Sequence, residues 1–207
     1  MPDFFTTKFA HYHDWYSLNL PPGIGNGCLL EIGVHQGGSL QRWSSKYPDA
    51  IIAGVDIDPA CRGAEHASPN IRVFTGSQND RPFLRGVTAQ LPEIDIIIDD
   101  GSHRPYHQIS SFKALWSSLK VGGVYIIEDL IVGYQKKWRL AAALLGGRHN
   151  MRKFSNGIIQ KMHTDPFCNI ASVEFAPWLM AIKKGATSWK QQTSGKEDCR
   201  IYAPHEA

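Results

Sequence analysis

The chain has 207 residues, 43% of them hydrophobic and 20% charged, which fits a single globular domain over 1–207 with a sizeable core. Its formal net charge of +3 is too small to imply a nucleic-acid partner without a clustered patch. The start MPDFFTTKFAHYHDWY lacks the basic and apolar blocks of a secretion signal, and no apolar run is long enough to cross a bilayer, so a cytoplasmic location without membrane contact is expected.

Residues 1–25 are aromatic-rich and read as a helical cap on the rest. Strands follow at 28–33, 50–56, 71–74, 94–99 and 124–128, with helices expected at 39–46 and 106–119. Gly122-Gly123 reads as the stop signal of the second helix. The strand segments are almost continuous runs of Ile, Val and Leu, the pattern of strands buried on both faces of a parallel sheet. Residues 131–165 look helical but irregular, and Lys136, Lys137, Arg139, Arg148, Arg152 and Lys153 read as a solvated face. Two more strands, 171–175 and 178–183, meet at Ala176-Pro177; so short a join demands an antiparallel pair. The tail 185–207 is polar. The expected fold is therefore α/β and doubly wound, mostly parallel, with a C-terminal antiparallel hairpin. The 4 cysteines, Cys28, Cys61, Cys168 and Cys199, form no CxxC pair, which argues against zinc and for reduced thiols, with Cys28 in the core.

The first strand runs into Glu31-Ile32-Gly33-Val34-His35-Gln36-Gly37-Gly38-Ser39. Glycines at this point allow a sharp turn and close backbone approach to a ligand. Their spacing, Gly-x-x-x-Gly-Gly, is not that of a dinucleotide site, and Glu31 would repel a pyrophosphate but suit a cofactor with a cationic amino-acid end. Asp56 ends the second strand, where a carboxylate can accept both hydroxyls of a ribose, and Ser77 and Gln78 follow the third, where an adenine would lie. S-adenosylmethionine (SAM) meets these requirements.

Two acidic motifs, Asp99-Asp100-Gly101-Ser102-His103 and Glu128-Asp129, end the fourth and fifth strands. Ligands of open α/β sheets bind at that edge, so both motifs face the cofactor crevice. Converging carboxylates repel one another unless a cation joins them, and oxygen donors favour Mg2+ or another hard divalent ion. Successive residues of an extended chain point opposite ways. Asp100, beside the glycine turn, is therefore read as facing the metal, and Asp99 as a structural residue on the cofactor side.

Four stretches carry a resemblance: LLEIGVHQGGSLQRW, GVDIDP, IDIIIDDGSHRPYHQISSF and GGVYIIEDL. Across residues 29–130 the chain resembles the metal-dependent sugar O-methyltransferases of macrolide biosynthesis and the related cephalosporin hydroxylase-like proteins. HYHDWY resembles a weaker element of the same family, while Ser77 stands where that family often has an acid. The resemblance implies a Rossmann-like SAM methyltransferase fold, Asp100, Glu128 and Asp129 as metal ligands, and His103 as catalytic base, with His107 one helical turn on as the rival. It implies a small-molecule acceptor, a hydroxyl of a sugar or glycosylated natural product, and is compatible with a homo-oligomer. Catechol or phenol methylation, or a non-catalytic SAM-binding role in a biosynthetic complex, are the alternatives. A nicotinamide enzyme is disfavoured by the loop spacing.

Overall fold

The computed structural model describes residues 8–135, 150–165 and 167–186. Helix α1 (Ala10–Asn19) precedes β1 (Cys28–Ile32), α2 (Gly38–Lys46), β2 (Ile51–Asp56), a 3₁₀ turn (Pro59–Ala67) and β3 (Ile71–Thr75). Then come α3 (Arg81–Thr88), β4 (Ile94–Asp99), α4 (Pro105–Leu115), β5 (Leu119–Ile127), α5 (Leu130–Tyr134), α6 (Met151–Thr164), β6 (Ile170–Ala176) and β7 (Leu179–Lys184). Pro105 opens α4 at a position where its missing N–H costs nothing. Four of the six basic residues read as a solvated face, Lys136, Lys137, Arg139 and Arg148, lie outside the described residues, as do Cys199 and most of the polar tail.

Seven strands form one sheet in the order β3-β2-β1-β4-β5-β7-β6. The five on the β3 side are parallel, and β7 joins β5 and β6 antiparallel, so the C-terminal hairpin is present as expected. Every residue of β1 and β4 is buried, in keeping with their mostly apolar sequences, and Glu31, Asp95 and Asp99 are buried with them. Strand alternation divides the core in two. Leu30, Ile97 and Ile127 pack with Leu84 of α3, Phe112 of α4 and Met151 of α6. Leu29, Ile96 and Ile126 pack on the other face with Tyr12 and Tyr16 of α1 and Trp43 of α2. Residues 1–25 thus contribute a covering helix.

The structure departs from the sequence expectation before β5. Helix α4 ends at Leu115, and Gly122 and Gly123 lie inside the strand and do not terminate a helix. Leu119, counted with the helical stretch, pairs with Ile94 of β4, and the register shifts between Ile94 and Ile96. The glycines fit that irregularity: a Cβ on Gly123 would stand 2.8 Å from the Asp95 carbonyl oxygen.

Gly33 closes the β1 edge in a form only glycine tolerates. Its φ is +95°, and a Cβ there would lie 2.3 Å from the carbonyl oxygen of Asp100. Backbone cannot move aside as a flexible side chain can, so Gly33→Ala should lower stability by about 2 kcal/mol or more, read as a fall in the chemical-denaturation midpoint. An unchanged midpoint would mean that the β1 and β4 turns are not packed this closely.

Candidate active site

A cavity of about 910 Å³ lies along the C-terminal ends of the parallel strands. Gly33, Asp56, Ser77, Gln78, Asp100, His103, Glu128 and Asp129 all line it. Glu31, Gly37, Gly38, Ser39 and Asp99 are not among its lining residues. Gly37, at φ +79°, is the left-handed cap of α2, and Gly38 opens that helix. Ser39 Oγ donates to Glu31 Oε1 at 2.8 Å, tying the glycine loop to β1.

Asp56 holds the turn after β1 to the turn after β2. Its Oδ2 accepts the backbone N–H groups of Val34 at 2.8 Å and His35 at 3.1 Å, and its Oδ1 accepts that of Asp58 at 3.0 Å. Burial raises its pKa, but these backbone donors, with Cys61, outweigh that and leave it below the ordinary aspartate value. Gln78 acts as a clamp: its Nε2 donates to Asp99 Oδ1 at 3.0 Å and its Oε1 accepts the Ser102 N–H at 2.7 Å.

The two adjacent aspartates do point apart. Asp99 is fully buried and accepts from Gln78, Ser111 and Tyr125. Burial pushes its pKa up against these donors. Asp100 faces the cavity instead, with its Oδ1 4.0 Å from His103 Nδ1. His103 Nε2 lies 3.6 Å from Asp129 Oδ2. Among the described residues, Asp100, His103 and Asp129 form the one group able to converge on a metal ion, their ligand atoms lying within 4.8 Å of one another. His107 also lines the cavity, with Nδ1 2.6 Å from Ser102 Oγ; burial, then the Arg104 charge, lowers its pKa.

Glu128 lines the same cavity but lies outside that group. Its Oε1 accepts from Lys8 Nζ at 2.7 Å and from the Tyr16 hydroxyl. The same ammonium lies 2.6 Å from Asp100 Oδ2 and 3.0 Å from Glu31 Oε1. Burial works against the charge on Lys8, but Glu31, Glu128 and Asp100 outweigh it and hold its pKa well above the ordinary lysine value. Burial raises the pKa of Glu31 and of Glu128, with Lys8 opposing it in both. The sequence reading missed Lys8 and gave no role to Tyr12 and Tyr16, which lie within the HYHDWY element and, four residues apart, on one face of α1.

The residues fit the groups expected of them. Glu31 Oε2, Glu128 Oε2 and His103 Nδ1 are buried polar atoms without a hydrogen-bond partner, which is costly unless a ligand completes them. His35, His103 and Asp129, all lining the cavity, have positive φ values of 51°, 55° and 53°, a strain that concentrates at binding sites.

No protein-family model matches the sequence. Over 115 residues the chain is 40% identical to the 8-demethyl-8-(2-methoxy-alpha-L-rhamnosyl)-tetracenomycin-C 3'-O-methyltransferase of Streptomyces olivaceus, covering 51% of this chain and 28% of that one. It is 36% identical over 143 residues to the mycinamicin VI 2''-O-methyltransferase of Micromonospora griseorubida, covering 63% and 35%. The chain thus spans about a third or less of the length of these relatives. Among solved structures, the MycE methyltransferase of the mycinamycin pathway with Mg, SAH (S-adenosylhomocysteine) and mycinamycin VI superposes with a TM-score of 0.76 at 24% identity, covering 98% of this chain and 55% of that one. A second MycE structure, with Mg and SAH, gives 0.68 at 28% identity, covering 91% and 51%.

The Asp56 contacts carry a pH dependence. A carboxyl whose folded pKa is depressed stabilises the fold above its unfolded pKa, about 3.9, and that contribution is lost as pH falls through the folded value. Wild-type protein should therefore melt above Asp56→Asn at neutral pH, with the gap closing as acid is added. A gap that is constant with pH would assign the difference to packing.

Proposed function

We propose, from the class I SAM methyltransferase fold that this chain shares with MycE and from its sugar O-methyltransferase relatives, that it transfers a methyl group from SAM to a hydroxyl of a sugar or glycosylated natural product with the help of a divalent cation. One observation carries the reading. Asp100, His103 and Asp129 approach within 4.8 Å of one another in the same cavity that Gly33 and Asp56 line.

In this reading the strand ends divide the work. Glu31 receives the cationic amino-acid end of SAM on the oxygen that has no partner. Asp56 keeps its carboxylate oriented by backbone N–H groups and accepts the ribose hydroxyls. Gln78, its amide already engaged on both sides, shapes the adenine side by packing. Asp100 and Asp129 hold the cation, and Glu128 contributes its unpartnered Oε2. Bound SAM would supply an electrophilic methyl, and a divalent cation held by these carboxylates would lower the pKa of an acceptor hydroxyl. His103 would take the proton from that hydroxyl, whose oxygen would accept the methyl as the methyl–sulfur bond breaks and SAH leaves. The relatives' names carry rhamnosyl groups and mycinamicin, which favours a glycoside over a planar phenol as the acceptor.

EDTA should abolish methyl transfer and Mg2+ restore it, with Asp100→Asn and Asp129→Asn inactive yet still binding SAH by calorimetry. Full turnover in chelator would exclude a metal-dependent reaction. Separately, His103→Ala should cut turnover by roughly a hundredfold, with part of it regained at higher pH, while His107→Ala remains active. A dead His107→Ala beside an active His103→Ala would transfer the base role to His107.

A further inference from the structure

Helix α1 reaches the acidic edge through two tyrosines four residues apart, both buried. The two hydroxyls serve different acids. Tyr12 donates to Asp129 Oδ1 at 2.8 Å and accepts the backbone N–H of the same residue at 3.1 Å. Tyr16 donates to Glu128 Oε1, an oxygen that Lys8 also holds at 2.7 Å. Asp129 therefore depends on Tyr12 more than Glu128 depends on Tyr16.

Asp129 needs such support. It caps α5 with φ at +53°, a left-handed conformation that a non-glycine residue keeps only when its surroundings dictate it. The carboxylate torsion of an aspartate is soft, so an unheld carboxylate samples a broad range. Here Oδ1 is tied to Tyr12, and Oδ2 is the oxygen facing His103 Nε2 at 3.6 Å. Tyr12 is itself fixed. Its ring lies in edge contact with Phe9 and His11, at 5.9 and 4.5 Å between centroids, and Phe9 meets Trp178 at 5.0 Å. The Trp178 carbonyl accepts the Leu130 N–H at 2.9 Å, closing a ring of contacts around the β5 end.

We propose that Tyr12 is a positioning residue for the metal end of the site: it grips Asp129 at Oδ1 and at the backbone N–H, and so presents Oδ2 to the space shared with Asp100 and His103. The inference rests on the metal-dependent reading above. It adds that the N-terminal helix, and not the sheet edge alone, sets the geometry in which a divalent ion is received.

The test is titration of Mn2+, followed by electron paramagnetic resonance of the free ion, into wild-type protein and the Tyr12→Phe, Tyr16→Phe and Asp129→Asn variants. SAH calorimetry and thermal melting run beside it. Tyr12→Phe should weaken Mn2+ binding about tenfold, the scale of a lost partner to a ligating carboxylate, with SAH affinity changed by less than about twofold. Tyr16→Phe should weaken it less, since Lys8 still pairs with Glu128. Adding Tyr12→Phe to Asp129→Asn should weaken Mn2+ binding no further, because the residue through which Tyr12 acts is already altered. Wild-type protein that binds no Mn2+ would overturn the metal reading and this inference with it. Wild-type protein that binds Mn2+ while Tyr12→Phe binds it equally well would overturn the inference alone. So would equal losses of Mn2+ affinity and melting temperature in the two tyrosine variants, the signature of a merely structural role.

Discussion

Carboxylates gathered at one edge of a buried sheet must find positive charge, and in this chain the Lys8 ammonium answers that demand. It lies between Glu31, Asp100 and Glu128, which come from the ends of three neighbouring strands. The register makes the gathering unavoidable: Ile32 pairs with Asp99, and Asp99 with Ile127, so the acids that flank these residues emerge side by side. Two unit charges about 4 Å apart interact by about 4 kcal/mol at an effective dielectric constant near 20, enough to favour one shared cation over three separate carboxylates. One ammonium does not complete the set. Glu31 and Glu128 are fully buried and each keeps an oxygen without a partner, so the site can accept further positive charge.

The same edge also carries constrained backbone. His35, His103, Asp129 and Trp178 are the non-glycine residues with positive φ among the described residues, and the first three line the cavity. Each takes part in a contact from outside its own turn or, like His103 next to the Ser102 N–H that Gln78 accepts, sits beside one. Asp56 accepts the His35 N–H, Tyr12 accepts the Asp129 N–H, and the Trp178 carbonyl accepts the Leu130 N–H. Such turns persist because the packed sheet and α1 determine them more strongly than local preference opposes them. The cofactor side is organised in the same manner: Ser39 is fastened to Glu31, and Gln78 bridges Asp99 and Ser102, so the loops are shaped by the protein's own hydrogen bonds.

Much of this architecture follows from local sequence. Mostly apolar runs give β1 and β4, which are buried along their whole length, and the short join at Ala176-Pro177 leaves an antiparallel hairpin as the only connection. Strand alternation alone separates buried Asp99 from Asp100 on the cavity. The glycine spacing after Glu31 already argues against a dinucleotide loop. Each of these signals spans a few residues, and periodicity and turn chemistry act at that range.

Tertiary structure decided what lies between distant segments. Lys8 is 120 residues from Glu128, and Tyr12 is 117 from Asp129, so no local pattern reveals that an aromatic-rich cap serves the acidic edge. One oxygen of Glu128 is taken by Lys8 and Tyr16 for the same reason, and His103 lies between the two aspartates. Gly122 and Gly123 look like a helix stop because glycine breaks helices and strand pairing alike; only the pairing of Leu119 with Ile94 shows which element they interrupt. Sequence determines the chemistry that each strand end carries, because that depends on neighbours in the chain. The partner of each charge is chosen by packing, because a buried ion pair requires proximity in space and is indifferent to separation along the chain.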